Sequence, residues 1–145
     1  MAADRKAEVT WHGDLMSGAG EIERVGSGAF GPLDVTWASR TEQPEGRTSP
    51  EELIAAAHAS CFSMALAHAL AQAGTPPQEL STSATVTFVP GTGITRSALE
   101  VVGTIPGVDE GTFREAAEQA KEGCPVSGAL KGNVELEVTA RLAGA

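Results

Sequence analysis

Two cysteines stand far apart in this sequence, Cys61 within SPEELIAAAHASCFSMALAHALA and Cys124 within EGCPVSGAL. Free cysteine is often buried as a small hydrophobe, so packing alone is one reading of each. The other is redox or nucleophilic chemistry, for which the thiolate is the reactive form. Desolvation by itself drives a thiol pKa up from about 8.5, so a working thiolate needs a cation or hydrogen-bond donors beside it. A partly buried guanidinium can supply the roughly 3 to 4 kcal/mol that a drop of two to three units requires. The cysteine spacing fits neither a zinc pattern nor a disulfide-dense secreted framework, and His12 and His68 fall in no ligand spacing with it, so no metal is expected. His58 lies three residues before Cys61 on the same helical face, which raises a cysteine–histidine hydrolase. The orienting Asn or Asp and the oxyanion hole of such an enzyme are not identifiable. The alternative is a packed helical histidine with one nitrogen satisfied.

The elements that must position these groups are legible from pattern. Short β-like runs are expected at about Val9 to His12, Gly18 to Val25 and Leu33 to Trp37, with turns such as GSGAFG between them. The polar stretch SRTEQPEGRT reads as a loop. Ser49 then offers an N-cap oxygen, Pro50 suits the first helical position, and Glu52 completes a capping box. The helix so begun should run to about Ala73, where Gly74, Pro76 and Pro77 stop it. A hairpin follows, Leu80 to Val89 and Ile94 to Ile105, turned by PGTG. Asp109 caps a second helix with an apolar stripe of Phe113, Ala116, Ala117 and Ala120. Cys124 then precedes Pro125, the start of another short helical turn through Leu130. The last strand alternates Val134, Leu136, Val138, Ala140 and Leu142 with polar residues. This order favours an α+β fold with largely antiparallel pairing. The first long helix is apolar on too many sides for one sheet, and the simplest cover for it is a second copy of the chain.

With 145 residues, 41% hydrophobic and 20% charged, the chain suits one ordinary globular domain spanning residues 1–145. Its net charge of −9 and lack of a basic stripe argue against nucleic acid and anionic membrane as partners. The opening MAADRKAEVTWHGDL has no apolar stretch suited to a signal peptide, and polar residues interrupt the longest apolar run, so a cytoplasmic location is expected. GSGAFG lacks the strand and helix of a nucleotide fingerprint, and no bound cofactor is expected.

Taken together, SPEELIAAAHASCFSMALAHAL and EGCPVSGAL strongly resemble the osmotically inducible protein C family (OsmC/Ohr), thiol-dependent organic hydroperoxide reductases. The likeness runs from WHGD to the final strand. PEELIAAAHASCF is closer to the OsmC branch, since the Ohr branch usually carries Gln after the first Glu and Gly-Tyr in place of Ala57-His58. The resemblance implies largely antiparallel sheets wrapped around long central helices in an intertwined homodimer. It also implies that Cys61 attacks the peroxide and becomes a sulfenic acid, that Cys124 resolves it as a disulfide, and that Glu51 holds a catalytic arginine. Arg40 is the best match for that arginine, with Arg47 a competitor. An external dithiol, such as a lipoylated protein, is the implied reductant. A non-catalytic stress or binding module of the same fold is the further alternative.

Geometry constrains how these residues could meet. Glu51 and Cys61 are ten residues apart on one helix, which is about 15 Å of rise and roughly 80° around the axis. A composite site is therefore expected, in which Glu51 and Arg40 of one chain serve Cys61 and Cys124 of the other.

Overall fold

The computed structural model describes residues 1–144, which form two compact units, Met1–Leu53 and the chain from Ile54 onward. In the first unit, β1 (Ala7–His12), β2 (Ala19–Val25) and β3 (Leu33–Val35) pair antiparallel in that order. The segment expected to be loop opens instead with a short helix, α1 (Trp37–Thr41). Its cause is a reciprocal cap: Thr36 Oγ1 accepts from the Ser39 N–H at 3.0 Å, and Ser39 Oγ accepts from the Thr36 N–H at 2.9 Å. The chain then returns to β3, where the Thr48 N–H donates to the Asp34 carbonyl at 2.9 Å.

Helix α2 (Pro50–Gln72) begins at the expected Ser49, whose hydroxyl accepts from the Glu52 N–H at 3.2 Å. Glu52 was expected to reach back to Ser49; its carboxylate instead accepts the Thr48 hydroxyl at 2.9 Å. Gly74, with φ +86°, turns the chain out of the helix. By length and composition alone α2 could cross a membrane, yet within the second unit it packs against protein. His58, Phe62, Leu66 and Leu70, successive positions on one helical row, are all buried. Met64, on another side, is 72% exposed.

The second sheet holds β4 (Glu79–Val89), β5 (Gly93–Thr104) and β6 (Glu135–Leu142). The hairpin β4–β5 is antiparallel as expected, with a bulge at Thr87 and Phe88. β6 pairs with β5 in parallel, because α3 (Glu110–Gly123) and α4 (Pro125–Leu130) carry the chain back across the sheet as a crossover. Asp109 caps α3, its carboxylate accepting from the Thr112 N–H at 2.8 Å. Phe113, Ala117 and Ala120 of α3 meet Leu99, Val101 and Ile105 from the β5 strand and its end, together with Phe62, Leu66 and Leu70 of α2. Cys124 closes this core, and Cys61 packs against it.

Candidate active site

Two groups of expected residues come together. In the first unit, Arg40 lies in the last turn of α1 and Glu51 in the first turn of α2. The Arg40 Nε donates to both carboxylate oxygens of Glu51, at 3.0 and 3.1 Å, and its Nη2 donates to Oε2 at 2.9 Å. Glu51 is buried and Arg40 half-buried, so the fork is held in little water. The Trp37 ring lies 5.7 Å from the guanidinium carbon. Arg47, the competitor for this place, is exposed in the turn after Pro44. It is therefore Arg40 that the carboxylate holds. The small polar residues that arrange this were not singled out in the sequence. Ser39 Oγ donates to the Thr48 carbonyl at 2.9 Å and so ties α1 to the approach to α2. Thr36-x-x-Ser39 was the available signal.

In the second unit Cys61, from the middle of α2, and Cys124, from the junction of α3 and α4, are both free thiols in one core cluster, and each influences the other's ionisation. Cys124 is fully buried and Cys61 half-buried. Within one chain it is Cys124, not Cys61, whose ionisation the surroundings favour. Burial pushes the Cys61 thiol up; the Val126 N–H works against this, and Cys124 adds to it. Burial also opposes ionisation of Cys124, but the Ser127 N–H, the Cys61 thiol and the Ser127 hydroxyl together bring it below the ordinary value. The physical reason is position: Cys124 stands at the start of α4, where N–H groups converge, and Cys61 lies mid-helix, where backbone N–H groups are already used.

His58 is not placed as a catalytic base. Its Nδ1 is 2.6 Å from Ser97 Oγ and its Nε2 is 2.8 Å from Ser127 Oγ, and the side chain is fully buried. Both nitrogens are satisfied rather than one, which corrects the packed-histidine expectation and leaves no free lone pair for the hydrolase alternative. Burial lowers the His58 pKa, so the imidazole is neutral. Ser97 and Ser127 were missed in the sequence. Ser97 heads the inward row of β5 that continues as Leu99, Val101 and Gly103, and a polar residue in that register was the available sign.

The family model described as OsmC-like protein matches residues 43–139, a stretch that includes Glu51, Cys61 and Cys124 and begins just after Arg40. Peroxiredoxin OsmC of Escherichia coli (strain K12) is 39% identical over 140 residues, covering 94% of this chain and 96% of the relative. An organic hydroperoxide resistance protein of Xanthomonas axonopodis pv. citri is 31% identical over 93 residues, covering 63% of this chain and 66% of the relative. Among solved structures, the organic hydroperoxide resistance protein OhrB of Bacillus subtilis superposes with a TM-score of 0.69 at 24% identity, covering 94% of this chain and 98% of that one. An OsmC-like protein of Vibrio cholerae O1 biovar eltor gives 0.73 at 17% identity, covering 97% and 100%. These two likenesses establish the mixed α and β fold. By the extent of the family match and the near full-length similarity to its Escherichia coli relative, the chain belongs to the OsmC-like protein family.

Proposed function

We propose that this chain is a thiol peroxidase that reduces organic hydroperoxides, and hydrogen peroxide more weakly, to alcohols and water. The observation that carries the reading is the pair of free cysteines, Cys61 and Cys124, brought from distant parts of the chain into one core cluster. The Cys61 thiolate attacks the outer peroxide oxygen; an S–O bond forms, the O–O bond breaks, and the alkoxide leaves and takes a proton from solvent. Cys124 then displaces hydroxide from the sulfenic sulfur, giving the disulfide. An external dithiol, a lipoylated protein for example, reopens it and returns both thiols.

Within one chain the groups acting on Cys61 raise its pKa, so the reading requires a further cation at that sulfur. Arg40, fixed by Glu51, is the group suited to supply it, and a homodimer in which Arg40 and Glu51 of one protomer face Cys61 of its partner is the arrangement proposed. The guanidinium would lower the thiol pKa and stabilise the departing alkoxide. Support for the dimer comes from large apolar side chains left uncovered, Met64 on α2 and Val9, Leu15 and Met16 in the first unit. Apolar neighbours of Cys61 on α2, the exposed Met64 among them, would favour substrates with alkyl or aryl tails, at roughly 25 cal/mol per Å² buried. The names of the relatives, peroxiredoxin and organic hydroperoxide resistance protein, point to the same chemistry.

Adding cumene or tert-butyl hydroperoxide to reduced protein tests this reading. The expected result is loss of both thiols with a mass decrease of about two hydrogens per chain. Cys124→Ser should instead hold Cys61 as a sulfenic or overoxidised acid. Thiols that survive excess hydroperoxide would overturn the assignment.

A further inference from the structure

We propose that His58 is a positioning residue for Cys124: with Ser97 and Ser127 it forms a buried hydroxyl–imidazole–hydroxyl chain that turns the Ser127 hydroxyl onto the Cys124 sulfur and prepares that sulfur to close the disulfide. Its part in turnover rests on the peroxidase reading above; its geometry does not.

The three residues come from three elements, α2, β5 and α4, and each is 1% exposed or less. His58 heads the row continued by Phe62, Leu66 and Leu70, a place an apolar side chain could fill. It holds instead an imidazole met at both nitrogens, at 2.6 Å by Ser97 and at 2.8 Å by Ser127. Ser127 is the third residue of α4, and Cys124 is the residue that precedes that helix. No cap hydrogen bond closes on the Cys124 side chain, but Ser127 holds the third helical position, whose N–H and side chain ordinarily face the residue that caps the helix, and both favour the Cys124 anion.

Donor counting fixes the direction of the chain. A neutral imidazole has one N–H and one bare nitrogen, and a serine has one hydroxyl proton. If the Ser127 proton points to sulfur, Ser127 Oγ must accept from His58 Nε2–H. Nδ1 is then bare and accepts the Ser97 hydroxyl. The donors thus run one way, Ser97 to His58 to Ser127 to Cys124, and a protonated imidazole would break the sequence at Nδ1. Burial, which keeps His58 neutral, is what the arrangement needs. In the step it serves, the Cys124 thiolate attacks the Cys61 sulfenic sulfur. The S–S bond forms, the S–O bond breaks, and hydroxide leaves and is protonated by solvent. Cys124 is oxidised as the Cys61 sulfur is reduced.

The test uses Cys61→Ser protein, in which Cys124 is the remaining thiol, and follows thiolate absorbance against pH. Adding Ser127→Ala or His58→Leu should move the Cys124 titration to higher pH, and His58→Gln, which keeps an N–H donor toward Ser127, should restore it. With both cysteines present, Ser127→Ala should slow disulfide closure relative to the preceding sulfenic step by roughly tenfold or more, the effect of losing a hydrogen bond to a charged group. Cys124 titrating alike in Ser127→Ala and its parent would overturn the proposal. So would His58→Gln moving the titration as far as His58→Leu, since the imidazole would then act only by filling space. Should His58→Leu fail to fold, Ser127→Ala decides. Protein that ignores hydroperoxide altogether defeats the peroxidase reading, and the titration still decides the relay.

Discussion

At the scale of single residues, the side chains of this protein are matched by charge and donor count. Arg40 has a carboxylate built to fit its fork, Cys124 has donors converging on its sulfur, and His58 has a hydroxyl for each nitrogen. The histidine makes a prediction about stability. Its folded pKa lies below its ordinary value, so the unfolded chain binds the extra proton first. The stabilisation is complete above the unfolded pKa of about 6.5 and is lost as pH falls below it, by at most about 1.4 kcal/mol per pH unit. This window lies above the range in which carboxylates titrate. Urea unfolding between about pH 8 and pH 5 should show the decline in the native protein and a flatter curve in His58→Gln. Equal slopes would mean that the histidine is not buried neutral. The cysteines stood out by residue type and motif, whereas the Glu51–Arg40 pairing was legible only through the family resemblance, which left Arg47 as a competitor. The two serines were not legible, because a serine acquires meaning only from what the fold brings to it.

At the scale of elements, caps and periodicity carried the reading. Ser49 with Pro50, Asp109 and the alternation of the last strand each predicted an element that is present. Helix α1 escaped because its five residues show no amphipathic period, and its Thr36 and Ser39 cap is a side-chain exchange hidden in a polar stretch. The parallel pairing of β6 escaped for another reason: period-two alternation says which face is buried and nothing of strand direction. The contact of β5 with α3 gives this scale its prediction. A Cβ at Gly103 would lie 2.5 Å from Ile105 Cδ1 and 2.6 Å from Phe113 Cζ, and Phe113 is fully buried and cannot move aside. Gly103→Ala should therefore lower stability by about 1 to 3 kcal/mol. A urea midpoint equal to that of the native chain would show that the core yields there.

At the scale of the whole molecule, the fold class and the family were readable because motifs and element order extend over nearly the whole chain. Assembly enters only as a proposal, from a helix with more apolar surface than one sheet covers. The proposed homodimer carries a concentration dependence: on dilution, peroxidase activity should fall with the dimer fraction, and a dissociated species of full activity would rule out composite sites. Underlying that is the claim that Arg40 of the partner reverses what a single chain does to Cys61. The direct measurement is the titration of Cys61 in assembled Cys124→Ser protein, with and without Arg40→Met. Cys61 should ionise below its ordinary value when Arg40 is present and above it when Arg40 is replaced, with the rate of hydroperoxide consumption falling roughly 100- to 1,000-fold. Identical titration in the two proteins would contradict the account.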